Sequence, residues 1–177
     1  MKKIIFLEGL PGVGKTTIAN SIKNMGRTDV HVVDEIIKED IINNVSDDEK
    51  DYMINDEMKI KKYEDGVIVI DRGPISTLSY NQTRKIIDEK FDANPVIEWF
   101  KSVEYIYKEN VEIIFLTNKC KKFKITSDNK FDPYGGIENQ KLLESITLFN
   151  CRKYSNNVIV KEYYQDNMED VINEIIN

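Results

Sequence analysis

Cysteine and histidine are nearly absent from this sequence, which has two cysteines and one histidine among its 177 residues. Cys120 and Cys151 have neither metal-ligand spacing nor the number that a disulfide framework needs, which excludes zinc modules and disulfide-rich secreted domains. His31 heads a short apolar stretch without partner ligands, which favours a packed or edge-strand role. The scarcity of both residue types is typical of a reducing compartment, and we expect a cytoplasmic protein.

Long apolar runs are also missing. No segment approaches the ~20 apolar residues of a membrane span, and Glu8 interrupts the first apolar run before a secretory core could form. The net charge of −6 disfavours a surface for nucleic-acid polymers or anionic membranes. Hydrophobic residues make up 41% of the chain and charged residues 32%, as in a soluble globular protein. We expect one domain over residues 1–177 that acts on small molecules.

Short apolar segments alternate with segments of helical periodicity. Strands are predicted at residues 4–7, 30–33, 67–70, 112–116 and 158–160, and helices at 16–24, 36–63 with a break near 46–48, 75–89, 96–108, 137–154 and 168–176. Val67 to Ile70 is β-branched throughout and does not alternate, which is typical of a strand buried on both faces. The order predicts an α/β fold, a parallel sheet of about five strands with helices on both faces. Ligands should then bind at the carboxyl ends of the strands.

A phosphate-binding motif lies between the first strand and the first helix. Gly9-Leu10-Pro11-Gly12-Val13-Gly14-Lys15-Thr16 fits G-x-x-x-x-G-K-[ST], and the flanking strand and helix are the context that such a motif requires. Backbone N–H groups of the loop and of the helix start can surround phosphate oxygens. Lys15 is placed to bridge the β- and γ-phosphates, and the Thr16 hydroxyl to ligate magnesium. The residues expected to bind ATP are Gly9, Pro11, Gly12, Val13, Gly14, Lys15, Thr16 and Thr17, in a three-layer P-loop NTPase fold.

Two segments together carry a family resemblance. Glu8-Gly9-x-x-Gly12-x-Gly14-Lys15-Thr16-Thr17 resembles the opening of thymidylate kinases and deoxynucleoside kinases. Asp71-Arg72-x-x-x-Ser76-x-x-x-Tyr80-Asn81 resembles the Asp-Arg segment of thymidylate kinases and, with Glu for Asp, that of deoxynucleoside kinases. Both segments come in the expected order. The resemblance is to the P-loop nucleoside and nucleotide kinase superfamily, and it implies transfer of the γ-phosphoryl group of ATP to a nucleoside or nucleoside monophosphate.

The resemblance suggests roles for residues at the strand ends. Asp71 would hold magnesium through water or orient Arg72, and Arg72 would bridge donor and acceptor because a guanidinium contacts two oxygens at once. Deoxynucleoside kinases place a catalytic base near the position of Glu35. The expected catalytic residues are Lys15, Arg72, Asp71 and Glu35; the expected magnesium ligands are Thr16, Asp71 and Glu8; and the expected acceptor contacts are Asp34, Ser76, Tyr80 and Asn81.

Arginine is scarce, and this departs from the family pattern. Residues 118–136 form a small lid candidate that has five lysines, whereas the lids of these kinases usually carry arginines. Lysine keeps the charge but lacks the planar fork of arginine. The whole chain has only Arg27, Arg72, Arg84 and Arg152, so few rigid clamps are available for a second phosphate. This favours a hydroxyl acceptor over a monophosphate.

Two other functions stay open. This fold can host acceptors other than nucleosides, so a kinase of another small hydroxyl compound, such as an antibiotic or a sugar acid, is one alternative. An ATP-hydrolysing switch without an acceptor is the other. A guanine-specific switch would need Asn-Lys-x-Asp, and Asn118-Lys119-Cys120 lacks the Asp two residues after the lysine. The identity of the acceptor and the oligomeric state, including a homodimer, are not encoded in these patterns.

Overall fold

The computed structural model describes residues 2–37, 49–108, 110–117 and 136–176. The lid candidate, up to residue 135, and the predicted helix break near 46–48 lie outside the described residues. The strands are β1 Lys3–Glu8, β2 Val30–Val33, β3 Val67–Asp71, β4 Val111–Thr117 and β5 Val158–Glu162. The α-helices are α1 Lys15–Asn24, α2 Glu49–Lys61, α3 Pro74–Ile87, α4 Asn94–Val103, α5 Ile137–Tyr154 and α6 Met168–Ile176.

The five strands form one parallel sheet in the order β2-β3-β1-β4-β5. The first strand is therefore central and pairs with β3 on one side and β4 on the other. Its residues Ile5, Phe6 and Leu7 have no exposed surface. This confirms the predicted α/β fold, in which central strands are buried on both faces.

Alternating residues of β1 point to two separate apolar cores. Ile5 and Leu7 face α1 and α6, whose buried residues include Ile18 and Ile172. Phe6 faces the other side, in a core formed with α3, α4 and α5. The sheet is thus the middle of three layers, and each layer of helices buries its apolar stripe against it.

The predicted boundaries are accurate for most elements. The helices at 137–154 and 168–176 and the strand at 30–33 have the predicted bounds, and the other four predicted strands are present with extensions of one or two residues. The predicted helix 96–108 is wrong at its end, because α4 stops at Val103 and a 3₁₀ turn follows at Glu104–Lys108. This turn places Tyr107 in the core, where its hydroxyl accepts a hydrogen bond from the backbone N–H of Ile75 at 3.2 Å.

The residues that the sequence sets apart as structural lie away from the carboxyl ends of the central strands. His31 lies on the edge strand β2 and stacks on Tyr63, with the ring centroids 4.2 Å apart. Cys151 is buried in α5, and Cys120 lies outside the described residues. None of the described helices has both the length and the apolar composition that a membrane span requires.

Candidate active site

The loop between β1 and α1 depends on glycine at two positions. Gly9 and Gly14 have φ angles of 131° and 110°, in the left-handed region that other residues avoid. A Cβ atom on Gly9 would lie 2.3 Å from the carbonyl oxygen of Leu116, and one on Gly14 would lie 2.1 Å from the ring of Tyr163. The glycines therefore allow both the turn and the close packing of the loop on neighbouring strands. Helix α1 begins directly after them, so its first N–H groups lie at the loop.

Lys15 lies under this loop and is 4% exposed. Its ammonium group donates to the carbonyl oxygens of Gly9 at 2.9 Å and Leu10 at 2.7 Å. Burial lowers the pKa of Lys15 to about 7, and the nearby charge of Arg72 acts in the same direction, while Asp71 opposes both. An anion at the loop would favour the charged form of this lysine.

Thr16 and Asp71 meet across the sheet edge. The Thr16 hydroxyl donates to Asp71 Oδ2 at 2.6 Å, which joins the start of α1 to the end of β3. The other carboxylate oxygen, Asp71 Oδ1, is buried and has no hydrogen-bond partner among the described residues. Burial raises the pKa of Asp71, and the Thr16 hydrogen bond opposes that shift.

These two residues fit magnesium. The described residues contain no group of three or more His, Cys, Asp or Glu side chains that could cage a metal ion. Magnesium in phosphate-transfer sites needs no such cage, since it keeps several waters and uses one or two protein oxygens together with phosphates. A buried carboxylate oxygen without a partner, next to a hydroxyl, supplies this kind of donor set.

Arg72 has an unusual backbone and a paired side chain. Its φ angle is 60°, a left-handed conformation that costs a non-glycine residue roughly 1–2 kcal/mol. Its Nε lies 2.8 Å from a carboxylate oxygen of Glu35, and its Nη1 donates to the hydroxyl of Tyr80 at 3.2 Å. Burial disfavours the charged guanidinium, but Tyr80, Glu35 and other neighbours outweigh it and hold the pKa of Arg72 above its ordinary value. The arginine is therefore charged at every physiological pH.

Glu8, a predicted magnesium ligand, contacts the start of α3. The residue is fully buried, and its carboxylate accepts hydrogen bonds from the Gly73 N–H at 3.0 Å and from the Ser76 hydroxyl. Burial raises its pKa to about 7, against the opposing effects of Ser76 and Arg72. Because both oxygens are occupied by the start of α3, the structure gives Glu8 a role in fixing the turn after β3. The Ser76 hydroxyl is directed at Glu8. The expected roles of Glu8 as a magnesium ligand and of Ser76 as an acceptor contact stay predictions.

The predicted acceptor contacts separate into two groups. Asp34 is exposed and pairs with Lys23 at 3.3 Å, and its contact with an acceptor stays a prediction. Tyr80 contacts Arg72, as described above. The amide of Asn81 donates to the Thr77 carbonyl at 2.9 Å, and its buried Oδ1 has no partner within the described part of the chain. Tyr80 and Asn81 stay as predicted contacts.

The remaining loop residues also differ in exposure. Pro11, Gly12, Thr16 and Thr17 are exposed at the loop surface. The side chain of Val13 is buried in the core that contains Ile18, so only its backbone is available to a ligand.

Sequence reasoning missed three polar residues of α2. Asn55, Asp56 and Lys59 are the buried residues of that helix, and two of them donate to the backbone at the ends of β2 and β3. Acidic and basic residues three apart on a helix ordinarily indicate a solvated face, so the sequence carried no signal of their burial.

A separate cavity of about 410 Å³ opens at the amino-terminal edge of β1 and β4. Its lining includes Lys2, Lys3, Tyr107, Asn110 and Asn157. This edge is opposite to the one where the loop residues, Asp71 and Arg72 converge. The chemistry of the side chains therefore locates the candidate site, and the size of this cavity does not.

Comparison with known proteins gives the same assignment of fold. The sequence matches no protein-family model and no curated protein. Deoxyadenosine kinase from M. mycoides with bound dATP aligns at a TM-score of 0.67 and 16% identity over 99% of this chain and 100% of that one. Thymidylate kinase from Candida albicans aligns at a TM-score of 0.64 and 16% identity, over 98% of this chain and 89% of that one. Thymidylate kinase from Ehrlichia chaffeensis aligns at a TM-score of 0.61 and 16% identity, over 99% of this chain and 97% of that one.

The similarity spans nearly the whole of each chain, while the identity is low enough that it establishes the fold alone. The predicted resemblance is confirmed at that level. The chain has the fold of these thymidylate kinase and deoxyadenosine kinase structures.

Proposed function

We propose that this protein is an ATP-dependent kinase that transfers the γ-phosphoryl group to a hydroxyl of a nucleoside-like acceptor. The observation that carries the proposal is the contact between Arg72 and Glu35, 2.8 Å apart, at the same sheet edge as the phosphate loop. It brings together a cation for the transferring group and a carboxylate that can accept a proton. Glu35 is 44% exposed, so an acceptor can approach it from solvent.

ATP would be held by the loop and by the first turn of α1. Lys15 would exchange its bonds to the carbonyls of Gly9 and Leu10 for bonds to phosphate oxygens. Thr16 and Asp71 would hold magnesium, which neutralises phosphate charge when it is bound. These residues account for the donor half of the reaction.

Arg72 and Glu35 would act on the acceptor half. Glu35 takes the proton of the acceptor hydroxyl while the acceptor oxygen forms a bond to the γ-phosphorus and the bond to the bridging oxygen breaks, releasing ADP. Arg72 contacts oxygens of the transferring group and stabilises the charge that develops on them. Its rigid fork suits this geometry better than a lysine would.

A hydroxyl acceptor fits the distribution of cations better than a monophosphate does. A monophosphate acceptor is already anionic and needs cationic clamps in place of a base. Arg72 faces Glu35, whereas Arg27 pairs with Asp29 and Arg84 with Glu49, away from the loop. The similar structures include a deoxyadenosine kinase and thymidylate kinases, so both acceptor classes belong in the test.

The test measures ADP release from ATP and magnesium with a panel of nucleosides, nucleoside monophosphates and unrelated hydroxyl compounds. We expect turnover that depends on a nucleoside and falls by roughly 10²-fold or more in Lys15→Ala and Arg72→Ala, since each removes charge stabilisation of the transition state. Arg27→Ala is the matched control, because this arginine forms an exposed ion pair with Asp29.

The outcomes separate the candidates. Turnover that requires a monophosphate and is unaffected by Glu35→Gln would move the acceptor class to nucleotides. Hydrolysis without an acceptor that is insensitive to Arg72→Ala would replace the kinase by an ATP-driven switch.

A further inference from the structure

Helix α2 has polar side chains at its fully buried positions, and its Ile60 is partly buried against the apolar core. Its buried residues are Asn55, Asp56 and Lys59, while Ile54 and Met58 are nearly half exposed. Most surface helices bury an apolar stripe instead. Burying a lysine is costly unless its charge is paired and its hydrogen bonds are satisfied, and Lys59 is only 2% exposed. The burial of Lys59 therefore requires specific ion-pair and hydrogen-bond partners, which apolar packing does not supply.

The ammonium group of Lys59 is fully paired. Asp56, one turn earlier, lies 2.8 Å from it and also accepts a hydrogen bond from the Thr77 hydroxyl at 2.7 Å. Lys59 donates to the backbone carbonyls of Arg72 at 2.9 Å, Glu35 at 3.2 Å and Asp71 at 3.4 Å. One buried cation thus joins the ends of β2 and β3, the two strand ends that carry the base and the arginine.

These bonds complete a clamp around the backbone of Arg72. The peptide before Arg72 has its carbonyl bonded to Lys59 and its N–H bonded to the Leu7 carbonyl at 3.1 Å. The peptide after Arg72 has its carbonyl bonded to Lys59 and its N–H bonded to Glu8 at 3.0 Å. Both peptides that define the left-handed conformation of Arg72 are therefore fixed on both sides.

The neighbouring Asn55 fixes the segment after β2. Its amide donates to the Glu35 carbonyl at 2.9 Å, and its carbonyl oxygen accepts from the Ile37 N–H at 2.9 Å. Glu35 is thus positioned from the same helix that positions Arg72. The pair at 2.8 Å depends on both sets of contacts.

We propose that Lys59, neutralised by Asp56, is a positioning residue of the transfer site, which holds Arg72 in its left-handed conformation and in register with Glu35. The part of this proposal that concerns catalysis rests on the proposed kinase function. The part that concerns the backbone of Arg72 does not. Lys59 itself touches neither the loop nor the side chain of Glu35 in the contacts described above, so its effect passes through the two strand ends.

The test uses the double variant Lys59→Met with Asp56→Asn, which removes the carbonyl bonds without leaving a buried unpaired charge. The first readout is the hydrogen-exchange rate of the Gly73 amide, measured by NMR without substrate. We expect it to rise by roughly tenfold or more, since its turn loses one side of the clamp. The Ile113 amide, bonded to Asn157 in the sheet, should be unchanged. Lys61→Met is the matched control, because Lys61 is an exposed lysine on the same helix.

The second readout is kinetic. We expect kcat to fall by roughly 10–100-fold with the KM for ATP within about twofold, because misplacement of Arg72 affects transfer and not ATP binding. In an Arg72→Ala background the same double variant should add less than about threefold, since residues that act through one another are not additive. If the double variant does not fold, Lys59→Gln with Asp56→Asn, which keeps one donor group and leaves no unpaired buried charge, should give intermediate values of both readouts.

Three results would each overturn the proposal. Two of them are an unchanged exchange rate at Gly73 and losses of kcat that multiply with those of Arg72→Ala. A loss of activity that only follows the unfolded fraction would count the same way. Absence of acceptor-dependent turnover in the wild-type protein would instead refute the proposed function. The exchange rate at Gly73 would still decide whether Lys59 fixes the turn.

Discussion

The phosphate loop and the turn after β3 lie at the same sheet edge, but they are held in different ways. In the loop, Lys15 bonds to carbonyls five and six residues away, and glycines adopt the left-handed conformations. In the turn, Arg72 is fixed by Leu7, Glu8 and Lys59, which are distant in the sequence or belong to other elements. The conformation of the loop is determined largely by its own residues, whereas the conformation of the turn is determined by contacts with distant parts of the chain.

The difference also concerns strain. Glycine adopts a positive φ almost without steric cost, whereas Arg72 at φ 60° costs roughly 1–2 kcal/mol that its surroundings must offset. Strained backbone at functional sites persists only where neighbouring contacts determine it. We therefore expect substitutions inside the loop to act locally, and substitutions far from the turn to reach Arg72.

The largest expected effect on stability is at Gly14. Gly14→Ala places a methyl group 2.1 Å from the ring of Tyr163 and forces a non-glycine residue to φ 110°. We expect a loss of roughly 2–5 kcal/mol in the free energy of unfolding, from backbone strain and overpacking together. Urea unfolding measures it, and ATP binding should be lost as well.

Gly26→Ala is the matched control for that prediction. Gly26 also has a positive φ, 65°, but no atom lies within 4 Å of the position that a Cβ atom would take there. It should therefore lose only the strain component, about 1 kcal/mol. Equal losses at the two glycines would contradict the view that Tyr163 packs on the loop.

The loop and the sheet could be predicted from the sequence for a physical reason. Periodic apolar residues report directly on burial, so the strands and the bounds of α5 and α6 follow from short windows of sequence. The phosphate motif binds through its backbone, and its residues specify that backbone locally. Thr16 and Asp71, from two separate motifs, meet at 2.6 Å because parallel strands end at a common edge.

The turn could not be predicted in the same way. A lysine among charged residues of α2 has the pattern of a solvated face, and only the carbonyls of distant strands make the burial of Lys59 favourable. The choice between Asp34 and Glu35 depends on which way each side chain points after β2, which the sequence does not fix. Glu35 reaches Arg72, while Asp34 reaches Lys23. Nothing about an arginine predicts a positive φ.

The second prediction concerns Glu8 and the pH dependence of stability. Burial raises the pKa of Glu8 from 4.5 to about 7, so between these values the folded protein binds a proton that the unfolded chain does not. The protonated form of Glu8 is favoured by folding, so its contribution to the free energy of unfolding is present at low pH and is lost as the pH rises toward 7. Relative to Glu8→Gln, the wild-type free energy of unfolding should therefore fall across this window by a few kcal/mol at most, at about 1.4 kcal/mol per pKa unit.

Chemical unfolding at a series of pH values measures this difference. Glu98→Gln is the control, because Glu98 is an exposed carboxylate paired with Lys101 and should leave the slope unchanged. Parallel curves for wild type and Glu8→Gln would show that Glu8 is ionised in the folded protein throughout, and that the turn is held by a charged carboxylate.

The smallest expected effect isolates the strain at Arg72. Arg72→Ala and Arg72→Gly both remove the guanidinium and its contacts with Glu35 and Tyr80, so both variants should lose a similar factor in turnover, roughly 10²-fold or more. Only glycine relieves the left-handed conformation at φ 60°. We expect Arg72→Gly to be more stable than Arg72→Ala by about 1 kcal/mol, the strain relieved being partly offset by the greater flexibility of glycine in the unfolded chain.

Urea unfolding of the two variants measures the difference, and the same pair compared in the Lys59→Met, Asp56→Asn background tests its origin. If the clamp of Lys59 imposes the strain, the order should reverse once the clamp is removed. Alanine is then free to leave the left-handed region, and Arg72→Ala should be more stable than Arg72→Gly by about 0.4–1 kcal/mol, the cost of the flexibility of glycine in the unfolded chain.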